Sequence, residues 1–305
     1  MGVWEAVLIT VVTAATPLLI AAMGELVVER AGVLNLGIEG MMAVGAACGF
    51  AAAILSGSTI VGILAAIAAG LVLSGLFAML VLGLATNQVA SGLALTILGL
   101  GLSGLIGAGF VGTQREAIPA IYIPGLTDLP GGNVLFGQNP FVYFSLVLAL
   151  ATLWFLGRSR TGLTLRSIGE NHASAHALGL PVLKVRLAAI LFGGACAGLA
   201  GGYLSLAYTP QWVENMTAGR GWIALALVVF SSWLPWRIVV GAYLFGTITV
   251  LGFSLQAYGF GIPSQLLSAL PYLVTILVLV VISGNKALMR ANTPACLGQP
   301  FVPDR

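Results

Sequence analysis

The feature that most constrains this chain is a series of long apolar stretches separated by short polar segments. Most of these stretches run for about 18 residues or more, without the polar–apolar alternation of a membrane β-barrel strand. A stretch of this length crosses a bilayer as an α-helix, because a helix bonds its own backbone groups. The sequence therefore predicts an all-α, polytopic transmembrane bundle of about nine spans, at residues 6–23, 31–56, 60–85, 89–111, 140–157, 188–209, 221–234, 238–258 and 265–283.

Composition agrees with a membrane location and excludes several other classes. Hydrophobic residues make up 59% of the 305 and charged residues 7%, whereas soluble domains carry about 25% charged residues. The net charge of +3 is too small and too scattered to indicate a nucleic-acid partner. Cys48, Cys196 and Cys296 lie too far apart to form a metal or disulfide pattern. Gly194, Gly198 and Gly202 are spaced like a close helix-packing face.

The basic residues predict the orientation, because cytoplasmic loops are enriched in Lys and Arg. With the N-terminus outside, only Arg115 and Arg220 fall in external loops. The inner segments then hold Arg30, Arg158, Arg160, Arg166, Lys184, Arg186, Arg237, Lys286, Arg290 and Arg305. We therefore expect a transmembrane domain over 1–285, with an external loop at 112–139 and a cytoplasmic loop at 158–187. The tail 286–305 is expected to be cytoplasmic and loose.

The chain shows no sign of catalysing a reaction. A phosphate-binding loop needs the pattern G-x-x-x-x-G-K-[ST], and the two lysines, Lys184 and Lys286, are followed by Val and Ala. His172 and His176 have the spacing of metal ligands on a helix, but a solvated cytoplasmic face is the better interpretation. We therefore expect no enzyme activity, cofactor or metal, and we expect any ATPase to be a separate chain.

Polar residues inside the apolar regions are the candidate functional residues, because they are costly in lipid unless they face a cavity or a partner. The first group begins the second span: Glu25, Glu29 and Arg30 lie near the interface, and Glu29 and Arg30 are expected to neutralise one another. Asn35 and Glu39 lie deeper, among glycines that allow a helix to break. Interfacial loops are the alternative interpretation of every group. The others are Asn87 and Gln88, and then Glu214, Asn215, Thr217, Arg220 and Trp222.

Three motifs in order along the chain resemble those of a known transporter family. Residues 29–42 read ERAGVLNLGIEGMM, residues 166–171 read RSIGEN, and residues 213–226 read VENMTAGRGWIALA. They resemble the permeases of nucleoside and simple-sugar ABC importers, within the wider branched-chain amino-acid and ribose permease group. The resemblance covers about residues 16–283. At Ser231-Ser232-Trp233 the sequence departs from the usual glycine-containing segment.

The resemblance implies an importer with two permease subunits, identical or different, cytoplasmic ATPases and an external solute-binding protein. It implies that the solute is neutral and polar. The motif variants look most like those of nucleoside permeases, so a nucleoside is the expected solute, with a simple sugar, riboflavin or a branched-chain amino acid as alternatives. Because such a solute needs hydrogen-bonding groups in its path, we expect the polar residues Asn35, Glu39, Asn87 and Gln88 to line it. The resemblance also implies a second broken segment containing Glu214, Asn215, Arg220 and Trp222, and an ATPase-coupling segment containing Arg166, Gly169, Glu170, Asn171, Ala173, Ala177 and Gly179.

Paired breaks agree with this resemblance on physical grounds. Interrupted segments near 31–42 and 220–236 lie in opposite halves of the chain, and such pairs mark the solute path in transporters built from repeats. A self-contained ion-coupled transporter is the main rival, with Glu39 as a proton carrier, but it gives the basic inner loop no role. A structural membrane subunit is a second rival, and it would not need paired breaks.

Overall fold

The computed structural model describes residues 2–257, 263–283 and 292–303, and it confirms the all-α class. Within these ranges the only β-type pairing is an isolated antiparallel bridge between Gln114 and Gln211. The helices of the described ranges are α1 (Val3–Arg30), α2 (Ile38–Ser56), α3 (Thr59–Ala78), α4 (Gln88–Gly107), α5 (Gly132–Phe136), α6 (Pro140–Arg158), α7 (Arg160–Glu170), α8 (His172–Ala177), α9 (Val182–Tyr203), α10 (Arg220–Phe230), α11 (Pro235–Ala257) and α12 (Ser264–Ser283).

Long apolar helices make this a multi-pass membrane protein. In the described residues, seven helical segments are long and apolar enough to cross a bilayer: Trp4–Arg30, Ile38–Ser56, Thr59–Gly83, Gln88–Phe110, Pro140–Arg158, Val182–Tyr208 and Pro235–Gln256. The two remaining predicted spans correspond to α10, which is shorter, and to α12, whose apolar part covers Gln265–Val278. The count of nine spans therefore stays a prediction.

The centre of the bundle is α9, which packs against α1, α2 and α3. The predicted glycine face accounts for the close approach of α9 to α3. A Cβ atom at Gly194 would overlap the side chain of Ser74, and one at Gly198 would overlap the carbonyl oxygen of Ala66. Small residues thus allow the two backbones to approach at distances that larger side chains forbid.

Hydrogen bonds group the loops at two opposite ends of the bundle. At one end, Glu5 at the start of α1 accepts from the backbone of Gly131 in the predicted external loop. At the other end, Arg30 at the close of α1 donates to the carbonyl oxygen of Trp233. Since α1 has 28 residues, these ends lie about 40 Å apart. Gly169 of the predicted cytoplasmic loop packs against the carbonyl oxygen of Arg30, so the loops 112–139 and 158–187 lie at opposite ends.

The expectation of a loose tail is wrong for residues 292–303. Phe301 and Cys296 are buried, and the backbone N–H of Cys296 donates to the carbonyl oxygen of Gly169 at 2.9 Å. The prolines and small residues of this segment read as a flexible terminus because its partners are distant in sequence. The remaining residues of the predicted tail, 286–291, 304 and 305, lie outside the described residues.

Candidate functional site: two interrupted segments

The first interruption lies at residues 31–37, within the predicted 31–42. It separates α1 from α2 rather than breaking the second span, because α1 continues through the polar residues 24–30. The side-chain oxygen of Asn35 accepts from the backbone N–H of Gly37 at 3.0 Å, which closes a local turn. The backbone N–H of Asn35 donates to Glu25, and the hydroxyl of Thr96 in α4 donates to the carbonyl oxygen of Leu36 at 2.8 Å. Side chains thus satisfy the backbone groups that the break frees from helical pairing.

The second interruption precedes α10, where the chain turns sharply into an 11-residue helix. Gly219 has φ +78° and Ala218 has φ +45°, so the backbone enters the helix through two left-handed residues. Glu214 and Asn215 are exposed, whereas Thr217 is fully buried. Arg220 begins the helix. The predicted second broken segment is therefore a short helix with an irregular entry.

Glu39 at the start of α2 joins the two interruptions. Its carboxylate accepts from the backbone N–H of Gly219 at 2.9 Å and from that of Gly221 at 2.6 Å. A helix N-terminus has unpaired N–H groups and a partial positive charge, both of which a carboxylate satisfies. A Cβ atom at Gly221 would lie 2.6 Å from the Cα atom of Glu39, so this contact requires glycine. Glu39 therefore caps α10 from the opposite half of the chain.

The far end of α10 is also bound to the first half of the chain. Ser232 and Trp233, which replace the expected glycine-containing segment, adopt the left-handed conformation with φ +51° and +55°. The indole N–H of Trp233 donates to Glu29 at 2.5 Å. The guanidinium of Arg30 donates twice to the carbonyl oxygen of Trp233, at 2.7 and 3.2 Å. Glu29 and Arg30 thus bond to Trp233 rather than neutralise one another, and α10 is held at both ends.

Asn87 and Gln88 support the neighbouring backbone. Asn87 is exposed and caps α4 by accepting from the N–H of Ala90 at 3.0 Å. Gln88 is buried, and its side-chain oxygen accepts from the N–H of Leu34 in the first interruption at 2.8 Å. Asn35 and Glu39 are likewise buried with backbone partners. A direct role of these four residues in the substrate path stays a prediction.

A cavity of about 160 Å³, lined partly by polar side chains, lies beside the entry to α10. Its polar side chains are Arg220, Thr249, Gln256 and Tyr272, and the rest of its lining is Ala218, Ile223, Gly252, Leu267 and Pro271. The Tyr272 hydroxyl donates to the carbonyl oxygen of Ala218 at 2.9 Å. Of the predicted site residues, Arg220 lines this cavity. The cavity offers hydrogen-bonding groups and an aromatic ring, and none of its described lining residues is a carboxylate.

Sequence reasoning missed Thr249, Gln256 and Tyr272. They belong to α11 and α12, where each is an isolated polar or amphipathic residue in an apolar run. Polarity inside a predicted span was the available signal. A larger cavity of about 580 Å³ lies between α1, α6, α7 and α9, but its lining is almost wholly apolar. The smaller cavity suits a polar solute better.

The predicted coupling segment forms two short helices at the end that carries Arg30. Asn171 caps α8 by accepting from the N–H of Ser174 at 2.9 Å. A Cβ atom at Gly169 would overlap the carbonyl oxygen of Arg30, and Gly179 has φ +81° after α8. Glu170, Ala173 and Ala177 are exposed, and Arg166 is half-buried. The sequence thus correctly indicates a structured loop rather than a simple connector.

The two histidines of α8 face the C-terminal segment rather than solvent alone. Their rings lie 5.1 Å (His172) and 5.4 Å (His176) from the ring of Phe301. His172 Nδ1 lies 3.1 Å from the guanidinium of Arg186. Partial burial, and then the positive charge of Arg186, lower the pKa of His172 below its usual value. In the described part of the chain, no group of His, Cys, Asp and Glu side chains has the arrangement of a metal site.

Comparisons with known proteins agree with this architecture. Residues 7–282 match the family model described as the branched-chain amino acid transport system / permease component. The chain is 40% identical to a Haloferax volcanii protein provisionally named as a glucose ABC transporter permease, over 95% of each chain. It is 32% identical to a guanosine ABC transporter permease of Bacillus subtilis, over 94% of this chain and 93% of the relative.

A third relative extends the same pattern. A nucleoside ABC transporter permease of Lactococcus lactis is 29% identical, over 91% of this chain and 92% of the relative. These alignments span both interruptions and the segment that contains α7 and α8. The family match covers more than half of the chain and agrees with the all-α membrane bundle and with its paired breaks. This chain therefore belongs to the family of ABC-transporter permeases described as the branched-chain amino acid transport system / permease component.

Proposed function

We propose that this chain is one permease subunit of an ATP-driven importer and carries a small neutral polar solute, in the first place a nucleoside. The cavity beside α10 is the observation that carries the proposal. The guanidinium of Arg220 is engaged by the carbonyl oxygen of Met216 at 2.8 Å and lies over the ring of Tyr208. The amide of Gln256, the hydroxyl of Thr249 and the ring of Tyr272 then offer neutral recognition groups. Ribose hydroxyls and a planar base suit such groups.

The second candidate solute is glucose. The relative with 40% identity is provisionally named as a glucose permease, whereas the guanosine and nucleoside permeases are 32% and 29% identical. Hydroxyl-rich sugars use the same neutral hydrogen-bonding groups as ribose. The segments LNLGIEG and ENMT favour the nucleoside, because they resemble the corresponding segments of nucleoside permeases.

A second permease subunit completes the path in this proposal. Ligand pockets usually measure about 300–1,000 Å³, and the cavity of about 160 Å³ is smaller. A facing subunit, identical or different, would contribute the remaining wall. An external solute-binding protein would meet the end that carries residues 112–139. The N-terminus would then be outside and the C-terminus cytoplasmic, as the basic residues predict.

The energy would come from a separate ABC ATPase that docks on α7 and α8. The chain has no G-x-x-x-x-G-K-[ST] motif, so it lacks this means of holding ATP phosphates. The proposed docking face includes Glu170, Ala173 and Ala177, which are exposed, and Leu178, which is 81% exposed after α8. Ion-coupled transport by this chain alone remains the competing mechanism.

Uptake into vesicles tests both the mechanism and the solute. The permease is reconstituted with its partner permease, ATPase and binding protein, and uptake of labelled guanosine, glucose, leucine and riboflavin is measured. We expect guanosine uptake that requires ATP and that is not inhibited by excess unlabelled glucose. Glucose uptake blocked by unlabelled glucose alone would favour the second candidate. Solute uptake by this chain without ATPase or nucleotide would contradict the importer.

Tyr272→Ala tests the cavity itself. Removal of the ring should lower guanosine affinity about five- to a hundred-fold, since aromatic stacking contributes about 1–3 kcal/mol per base. Leu273→Ala is the matched control, because Leu273 is the next residue, is 51% exposed and does not line the cavity. Equal transport by both variants would show that the cavity beside α10 is not part of the path.

A further inference from the structure

The described C-terminal segment, residues 292–303, lies across the end of the bundle that carries α7 and α8; we call it the C-terminal strap. Cys296 sets its position against α7. The backbone N–H of Cys296 donates to the carbonyl oxygen of Gly169 at 2.9 Å, and its thiol donates to the carbonyl oxygen of Glu170 at 3.4 Å. These carbonyls belong to the last turn of α7, where helical partners are missing. The strap thus completes the end of this helix.

Phe301 anchors the strap against α8. Its side chain is 6% exposed and forms a small apolar cluster with Ile168, Ala175 and Val182. The rings of the two α8 histidines also pack against it. A buried phenylalanine is a strong anchor, because its removal leaves a cavity that the surroundings fill only partly. The neighbouring Val302 is 66% exposed and takes no part in this cluster.

The carbonyl oxygen of Gln299 connects the strap to the first interruption. It accepts from the Gln88 side chain at 3.3 Å and from the Arg186 guanidinium at 3.3 Å. Gln88 also accepts from the N–H of Leu34, and Arg186 also donates to the carbonyl oxygen of Ala31. The two side chains that donate to Gln299, Gln88 and Arg186, therefore also bond to the interrupted backbone that leads to Glu39.

Arg186 contacts the first interruption, the strap and α8. Its guanidinium reaches Ala31 in the first interruption, Gln299 in the strap and His172 in α8. The side chain is fully buried, and a buried charge is costly unless acceptors surround it. Displacement of the strap would remove one of the two backbone acceptors of Arg186. Arg186 therefore favours the conformation in which the strap is bound to the bundle.

We propose that the C-terminal strap is a positioning element that ties α7 and α8 to the first interruption. Movement imposed on α7 and α8 then reaches residues 31–39 through the strap and through Arg186. This inference rests on the proposed ATPase, but its structural half does not depend on transport. A terminus that merely fills space would not share hydrogen-bond donors with the interruption.

The structural half is tested by alkylation of Cys296 in the purified permease, with the labelled peptide identified by mass spectrometry. Phe301→Ala should raise the Cys296 labelling rate at least about tenfold, because loss of the anchor favours local opening. Val302→Ala should stay within about twofold of the parent, since this side chain is exposed. Phe301→Leu keeps an apolar anchor and should give an intermediate labelling rate. This milder variant keeps the test valid if Phe301→Ala does not fold. Unchanged labelling in Phe301→Ala and Phe301→Leu would overturn the strap.

The functional half is tested by solute uptake and ATP hydrolysis measured together in the reconstituted importer. Phe301→Ala should reduce uptake per ATP hydrolysed at least about threefold while the ATPase still co-purifies. Val302→Ala should leave this ratio unchanged. Increased Cys296 labelling with an unchanged ratio would show that the strap only packs, which refutes the positioning role. If the parent shows no ATP-driven uptake, the importer proposal fails, and the labelling result still decides whether the strap is anchored.

Discussion

At the scale of single residues, Glu39 shows how burial changes the interpretation of a charged residue in a membrane protein. Its exposed fraction is 2%, and each carboxylate oxygen has a backbone N–H partner at the start of α10. An intramembrane glutamate by itself indicates a solute or proton site. The observed partners indicate instead a cap that positions α10. The structural role accounts for both oxygens, and a proton carrier would need one of them to release its N–H partner.

Substitutions of Glu39 separate these two roles. Glu39→Gln turns one acceptor into a donor that faces another N–H, and this change should cost about 1–3 kcal/mol of stability. Glu39→Asp should also be destabilised, because the shorter side chain cannot reach both N–H groups. Thermal unfolding in detergent measures both effects. Glu214→Gln is the control, since Glu214 is an exposed glutamate in the second interruption, whose helix Glu39 caps. Wild-type stability in both Glu39 variants, with uptake lost only in Glu39→Gln, would favour the proton carrier.

At the scale of elements, α10 behaves as a helix fixed by contacts outside itself. Its 11 residues are too few for a stable isolated helix, since helices shorter than about 12–15 residues are marginal in water. Glu39 caps its start, and Glu29 and Arg30 hold the turn at its end. Two consecutive non-glycine residues in the left-handed conformation, Ser232 and Trp233, show that these contacts outweigh the local preference of the backbone.

Two glycine substitutions at this turn should have opposite effects. Ser232→Gly removes a left-handed residue that costs about 1–2 kcal/mol, together with a buried hydroxyl that lacks a hydrogen-bond partner in the described structure. Glycine entropy offsets about 0.5–1 kcal/mol, so the variant should be slightly more stable. Trp233→Gly relieves the same backbone conformation but loses a buried indole and its bond to Glu29, at about 3–5 kcal/mol. Thermal unfolding of both variants checks this order, and two stabilised variants would contradict the role of Trp233.

At the scale of the whole molecule, the two halves of the chain are joined through their interruptions. The first interruption bonds to α4, and the residues that flank it bond to α10: Glu39 to its entry and Arg30 to the turn after it. Arg186 connects the interruption to the C-terminal strap. Residues more than 180 positions apart therefore meet at the site. This arrangement suits a transporter whose path opens alternately to the two sides.

Labelling in intact cells tests the orientation. Leu126→Cys and Glu170→Cys introduce thiols at exposed positions at opposite ends of the bundle. We expect an impermeant thiol reagent to label Leu126→Cys in intact cells and Glu170→Cys only after permeabilisation, because basic loops are retained in the cytoplasm. The parent chain, whose described cysteines are buried or half-buried, gives the background. The reverse pattern would invert the topology without affecting the fold.

Several features of this protein follow from local sequence properties alone. The length and hydropathy of the apolar stretches determine the membrane-spanning helices. A bilayer requires a minimum length of each span and requires each helix to satisfy its own backbone hydrogen bonds. Local backbone freedom predicts the break at residues 31–37, and glycine spacing predicts the close face of α9. The three motifs indicate the transporter family without any tertiary contact.

Only the tertiary structure decided which groups meet. The partners of Glu39, Trp233 and Phe301 are remote in sequence, and hydrogen bonds and packing depend on positions that local patterns do not encode. The same limit hid the role of Thr249, Gln256 and Tyr272, since the sequence shows that they are polar but not that α10 lies beside them. It also made residues 292–303 appear loose, because a short segment without periodicity becomes ordered when buried acceptors and an aromatic anchor fix it. Local chemistry thus determined the helices, and long-range packing decided the site.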